Sequence, residues 1–154
     1  MHKIMFVCHG NICRSTMAEF LMKDLVEKAG RAEEFFIDSC AVSHETVWNG
    51  QGEPVYPPAK ALLSSLGIDC SAKRSKVLTE KDGVEYDLFL CMDDSNVARA
   101  KRILGRHGDK CKKLLSYAGE KGDVADPWYT RDFQAAYRDI MRGLTGLLES
   151  EKGE

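Results

Sequence analysis

A single α/β domain, with a four-stranded parallel sheet covered by helices on both faces, is the fold the sequence predicts. Three observations predict it. Short apolar runs suited to buried strands alternate with longer stretches whose apolar residues recur at helical spacing. The first run, Lys3 to Val7, leads directly into a glycine-bearing turn and a helix start. That places a loop at the carboxyl end of the first strand, where parallel sheets bind ligands. Finally, 154 residues suffice for one substantial core, so residues 1–154 are read as one domain.

In chain order, the strand Lys3–Val7 precedes the loop Cys8 to Arg14 and a first helix from Arg14 to Ala29. Met17, Leu21 and Leu25, with Ala18, Met22 and Val26 beside them, give that helix its apolar face, and Gly30 ends it. Thr16 and Glu19 have the spacing of a capping box. Glu34 to Asp38 reads as a second strand, followed by a long irregular segment from Ser43 to Val55. Pro57 and Pro58 open a second helix that ends at Gly67. The basic run Lys73-Arg74-Ser75-Lys76 reads as a solvated face. Tyr86 to Cys91 is the third predicted strand, and Asp93 caps a helix running through Leu104. Lys113 to Tyr117 is the fourth predicted strand. A last helix carries Phe133, Ala136, Tyr137, Ile140, Met141, Leu144, Leu147 and Leu148 on one core-facing stripe, before a frayed end at Ser150 to Glu154.

Composition excludes several classes. A net charge of −2 with acids and bases interspersed points to neither nucleic acid nor a lipid surface. The sequence holds no apolar run of membrane-spanning or signal-peptide length, so a soluble protein is expected. The His residues are scattered and no metal-type Cys or His spacing occurs, so no metal and no cofactor are expected.

The chemistry concentrates in Cys8 to Ser15. A strand, tight loop and helix start aim successive backbone N–H groups and the helix dipole at one point, which favours an anion there. Helix N-termini and neighbouring cations favour the thiolate form of a cysteine, and Cys8 stands where the loop begins. Arg14 closes the loop with a planar fork of donors that matches two phosphate oxygens. A thiolate beneath a phosphate cradle is the equipment of phosphoester transfer through a phosphocysteine. A nucleophilic thiol needs a reducing compartment, so the cytoplasm is expected.

Cys8-His9-Gly10-Asn11-Ile12-Cys13-Arg14-Ser15 resembles the signature loop of the low-molecular-weight protein tyrosine phosphatases, and Asp126-Pro127-Trp128-Tyr129 resembles that family's acid loop. The similarity extends over essentially the whole chain, including Asp38-Ser39, Glu53 to Pro58 and Cys91 to Asn96. The resemblance implies that Cys8 is the nucleophile, that Arg14 and the backbone of His9, Gly10, Asn11, Ile12 and Cys13 clamp phosphate, and that Asp126 is general acid and then base. It further implies that Ser15 hydrogen-bonds the leaving thiolate, and that Asn11 pins a left-handed turn with Ser39 in support. Cleft walls would come from His9, Ile12, Trp48, Trp128 and Tyr129. Two departures stand out: Ser71 to Arg74 lacks a supporting His that some relatives carry, and His9 replaces an apolar residue. The implied protein is a monomer acting on phosphotyrosine-containing proteins, with a cognate tyrosine kinase as a further partner. Two alternatives share the fold: a protein arginine phosphatase, and a thiol-dependent arsenate reductase. The second needs a late pair of redox cysteines, and Cys111 reads as standing alone.

Overall fold

The structure, a computed structural model, describes residues 1–151. Four parallel strands form the main sheet: β1 (His2–Cys8), β2 (Phe35–Ala41), β5 (Leu88–Cys91) and β6 (Cys111–Lys113), in the order β2-β1-β5-β6. A separate two-stranded antiparallel hairpin, β3 (Val47–Trp48) with β4 (Gln51–Gly52), stands apart from it. The helices are α1 (Arg14–Lys28), α2 (Pro57–Ser65), α3 (Glu80–Glu85), α4 (Asp94–Leu104), α5 (Pro127–Thr130) and α6 (Phe133–Ser150).

Alternation along β1 explains the two layers. Ile4, Phe6 and Cys8 point to one face and pack with Met17, Leu21 and Met22 of α1 and Ile140, Leu144 and Leu147 of α6. Met5 and Val7 point to the other face and pack with Ala100 and Leu104 of α4. Both faces of β1 are therefore buried, as in parallel sheets flanked by helices. Because β2 and β5 lie on opposite sides of β1, the chain's crossovers diverge at the carboxyl end of β1. A crevice opens at such a switch point, and Cys8 ends the strand beneath it.

Several sequence expectations are corrected. The Thr16–Glu19 capping box does not form: α1 begins at Arg14, capped by Cys13 with no side-chain bond, and Thr16 Oγ1 is buried without a partner. Glu19 is drawn instead to partners on other elements. The segment Ser43 to Val55 is not wholly irregular, since Asn49 and Gly50, both at positive φ, turn the β3–β4 hairpin. Helix α3, with a full capping box from Thr79 and Asp82, went unread, and β5 starts only at Leu88. The fourth strand lies at Cys111–Lys113, and Leu114–Ala118 forms a 3-10 turn because α6 packs tightly against it, with Gly146 against the Tyr117 carbonyl. The run at Lys73 is a solvated face only in part: Arg74 and Lys76 are exposed, but Lys73 and Ser75 are buried or nearly so, bonded across the fold. Of the expected frayed end, Ser150 closes α6 and Glu151 follows in a turn; the remainder lies outside the described residues. No helix among the described residues is long and apolar enough to cross a membrane.

Candidate active site

The loop after β1 curls so that Asn11 adopts φ 55°, a left-handed conformation that Asn tolerates. This brings the Asn11 backbone N–H to 3.3 Å from Cys8 Sγ, and Ser15 Oγ lies 3.0 Å from the same sulfur. The N-cap side chain of α1 makes no hydrogen bond to the helix start, and the first N–H groups of a helix are a favourable place for an anion. Asn11 Nδ2 donates to both Ser15 Oγ and Ser39 Oγ, at 2.9 Å each. The backbone N–H of Lys76 donates to Asn11 Oδ1 at 3.1 Å, so both ends of the carboxamide are held.

Arg14 is buried, with Nη1 donating to Asp93 Oδ2 at 2.8 Å and to the Val124 carbonyl at 2.9 Å. Its Nη2 reaches Asp126 Oδ2 at 3.5 Å. Burial opposes the guanidinium charge, but Cys8, Asp93 and Asp126 outweigh it and hold the Arg14 pKa above its ordinary value. Burial, with Cys8 and Asp126 adding to it against Arg14, pushes the Cys13 thiol far up. Burial thus disfavours the thiolate form of Cys13.

Above the loop is a cleft of about 330 Å³. Cys8, His9, Gly10, Ile12, Cys13 and Arg14 line its floor and near side. Asp126, Trp128 and Tyr129 stand opposite, where Asp126 caps α5 by accepting from the Trp128 N–H at 3.0 Å. Pro127, at the first position of α5, stiffens that corner. Asn11, Ser15 and Ser39 lie beneath the floor and not in its lining.

Trp48 is the one expected wall residue that the structure leaves out. It lies on the hairpin, 80% exposed and away from the lining. Tyr56 supplies a wall instead: its ring rests 4.9 Å from that of Trp128, and its backbone N–H donates to the Ile12 carbonyl at 2.8 Å. Glu45, Thr46 and Glu53 also line the mouth; the sequence analysis singles out neither Glu45 nor Thr46, and it places Glu53 in the family-like stretch without a role. They come from a segment without periodicity, so only the fold brings them to the site. His9 meets Glu45 there, and this contact, with the Ser43 hydroxyl, holds the Glu45 carboxyl below its usual range. Among the described residues, no cluster of three or more His, Cys, Asp or Glu side chains is arranged to hold a metal ion. Cys111 does not stand alone, since its thiol meets that of Cys91, but both are buried within the sheet.

Comparison with known proteins bears on this arrangement. The family profile described as low molecular weight phosphotyrosine protein phosphatase matches residues 3–154. The low molecular weight phosphotyrosine protein phosphatase of Sus scrofa is 36% identical, over 95% of this chain and 93% of its own. YfkJ of Bacillus subtilis, named a low molecular weight protein-tyrosine-phosphatase, is 31% identical over 100% of this chain and 98% of its own. Its crystal structure superposes with a TM-score of 0.90, covering 97% and 94% of the two chains. A structure of the arginine phosphatase YwlE, from Bacillus subtilis, is also similar: 28% identity, TM-score 0.84, and 99% and 97% coverage. That chain is a cysteine-to-serine mutant with a phosphorylated active-site serine. With the whole chain matched and the fold shared, this protein belongs to the low molecular weight phosphotyrosine protein phosphatase family.

Proposed function

We propose that the chain is a cytoplasmic protein tyrosine phosphatase working through a phosphocysteine on Cys8. The observation that carries the reading is the convergence on Cys8 Sγ of Ser15 and the Asn11 N–H, next to a helix start without a side-chain cap, with Arg14 and Asp126 beside it. A phosphate monoester is a dianion whose leaving oxygen departs poorly unless protonated. In the first step, Cys8 sulfur attacks phosphorus and the P–O bond to the tyrosine breaks. The loop N–H groups and Arg14 hold the three non-bridging oxygens, and Asp126 gives its proton to the leaving oxygen. In the second step, Asp126, now a carboxylate, takes a proton from water as that water attacks phosphorus. The S–P bond breaks and Cys8 leaves as a thiolate, accepting a hydrogen bond from Ser15. Every proton and electron pair is accounted for by these residues and water. The phosphorylated active-site serine of the YwlE mutant supports a covalent step at this place in the fold.

Tyrosine is favoured over arginine by Ile12 and by the ring pair Tyr56–Trp128 on the walls. Aryl surface removed from water against them contributes about 25 cal/mol per Å². A phosphoguanidinium would instead face the apolar Ile12 with N–H groups lacking partners, at about 1–3 kcal/mol for each. An arsenate reductase relay is not favoured, because Cys91 and Cys111 are buried in the sheet outside the cleft lining. Turnover of an aryl phosphate and of phosphoarginine, by the wild type and by Cys8→Ser, tests the reading. The aryl ester is expected to be the better substrate, and Cys8→Ser to lose turnover while still binding phosphate. Residual activity within tenfold of wild type would remove Cys8 as nucleophile, and a preference for phosphoarginine would refute the substrate.

A further inference from the structure

Beneath the loop lies a buried charge cluster that the proposed chemistry does not itself use. Lys73 Nζ lies 3.1 Å from Glu19 Oε1, 3.0 Å from Asp38 Oδ1 and 3.1 Å from the Ser39 carbonyl. The side chains of Lys73 and Glu19 are 9% and 3% exposed. Glu19 Oε2 is met by Lys23 at 2.6 Å, and Glu19 Oε1 also accepts the Ser39 hydroxyl at 2.5 Å. A carboxylate buried this deeply is costly unless it is paired with a cation and hydrogen-bonded, and Glu19 has both kinds of partner.

The direction of each hydrogen bond then follows from counting protons. The Lys76 N–H claims Asn11 Oδ1, so the other end of the carboxamide must be the NH₂ group. That nitrogen has two hydrogens and no acceptor capacity, so Ser15 Oγ and Ser39 Oγ both accept from it. Each hydroxyl has a single proton of its own. Ser39 gives its proton to Glu19. Ser15 has only Cys8 Sγ left for its proton, at 3.0 Å.

We propose that Lys73, acting through Glu19, Ser39, Asn11 and Ser15, is a positioning residue for the nucleophile and holds the relay in place so that Ser15 Oγ stays against Cys8. Lys73 holds the relay from two sides: it anchors the Ser39 backbone directly and the Ser39 hydroxyl through Glu19. In this chain it does so from the stretch where some relatives carry a His. Without the cation, the buried carboxylate loses a principal partner, and the Ser39 hydroxyl is no longer committed to it. Ser39 Oγ is then less firmly held against Asn11 Nδ2, and the carboxamide that sets Ser15 Oγ against Cys8 is pinned only at its Lys76 end.

The proposal rests on Cys8 as the nucleophile, and the test separates the two. Alkylation of Cys8 by iodoacetamide, followed on the Cys8 peptide by mass spectrometry, reads the thiolate without any turnover. Ionisable groups that interact with Cys8 or line the cleft with it include Arg14, Cys13, Cys40, His9 and Asp126, and none is altered by the substitutions below. Lys73→Met is expected to slow alkylation at pH 6 about tenfold, the scale of one modest hydrogen bond, with no change at pH 10. Its kcat on an aryl phosphate should fall by a similar factor. KM and inorganic phosphate binding should stay within about twofold, since the cradle is backbone and Arg14. Ser39→Ala breaks the relay while leaving the ion pair, and should give the same signature. The double variant should be no worse than either single one, because both cut one chain. Lys73→His should restore the pH 6 rate, where an imidazole is largely protonated. If Lys73→Met does not fold, Ser39→Ala still decides. An alkylation profile coinciding with wild type in either variant overturns the proposal, as does a loss of phosphate binding in step with kcat. Should Cys8→Ser retain turnover while these profiles shift as expected, the relay stands and the nucleophile assignment fails.

Discussion

In and beneath the floor of the cleft, Asn11, Arg14, Ser15 and Ser39 are at most 3% exposed, and all but Ser15 are bonded to side chains from distant parts of the sequence. On the rim, Trp128 is 49% exposed and Tyr129 81% exposed, held by the single turn of α5 and by the contact with Tyr56. The two regions are built for different tasks. A floor whose polar groups are all paired has one geometry, because turning any one leaves a buried partner unsatisfied at about 1–3 kcal/mol. A rim of exposed rings can change its residues at little cost in stability, so substrate choice can vary there while the chemistry beneath stays fixed. Family members named for phosphotyrosine and for phosphoarginine on one fold are consistent with that division.

The sharpest way to break the comparison is Asp126, which belongs to the rim by position and to the floor by its contact with Arg14. Asp126→Asn is expected to lower kcat on phosphotyrosine by about 10²–10⁴, the usual worth of general acid catalysis. The loss should shrink on a nitrophenyl ester, whose leaving group needs little protonation. Equal losses on both esters would show that Asp126 acts through its charge on Arg14 instead.

Next in size is the support of the floor. Asp38 takes Lys73 on one oxygen, and Lys76 and Tyr86 on the other. Burial works to raise its pKa, but Lys76 and Lys73 outweigh it and hold the carboxyl below its ordinary value. A carboxyl depressed in the folded state contributes stability above the unfolded pKa of about 3.9 and loses it as pH falls through the folded value. Asp38→Asn should therefore cost about 1–3 kcal/mol near pH 7, with the gap to wild type closing below about pH 4. Urea midpoints at pH 7 and pH 3 measure it, and a gap unchanged at pH 3 would mean Asp38 supports the fold by shape alone.

The same contrast explains what the sequence shows. β1, the loop and α1 are legible because one strand period, one helix period and a glycine turn follow each other without interruption. Ser15 is legible for the same reason, being local to Cys8. Glu19 misleads because its spacing from Thr16 imitates a cap, while its true partners, Ser39 and Lys73, lie far along the chain. Lys73 looks like part of a solvated run for the same reason, since the acids that pair with it are on β2 and α1. The Asn49-Gly50 pair does carry a local hairpin signal, which the irregular composition around it hides. Glu45, Glu53 and Tyr56 carry none.

A smaller effect sharpens the division at the boundary of floor and rim. Ile12 lines the cleft with its side chain while its carbonyl is held by Tyr56. Ile12→Thr adds one hydroxyl and removes apolar contact without touching a floor hydrogen bond. It should move the ratio of kcat/KM for phosphotyrosine over phosphoarginine towards phosphoarginine by about tenfold, or about 1.4 kcal/mol. An unchanged ratio would place selection elsewhere, on Trp128 or the acidic mouth.

The smallest effect concerns Trp48. The family resemblance puts it on the cleft wall, whereas the structure puts it on the hairpin, 80% exposed and outside the lining. The hairpin is not loose: Gly52 lies so close to the Ser75 carbonyl that an added Cβ would be 1.8 Å from it, and the Ser75 hydroxyl donates to the Thr46 carbonyl at 2.9 Å. Thr46 in turn donates to the Gly10 carbonyl at 2.6 Å, tying the base of the hairpin to the loop. An indole outside the cleft lining is expected to leave a bound phenyl phosphate alone and to meet, instead, residues that flank a phosphotyrosine in a protein. An exposed Trp of this kind gains area only when a partner covers it, at about 25 cal/mol per Å². Trp48→Ala should leave kcat/KM for a small aryl phosphate within about twofold, because no lining contact is lost, and lower it severalfold for a phosphotyrosine peptide. Steady-state kinetics on both substrates measure the split. An equal loss on the small ester would bring Trp48 back into the wall. An equal absence of effect would leave peptide recognition to Tyr129, Trp128 and the His9–Glu45 pair.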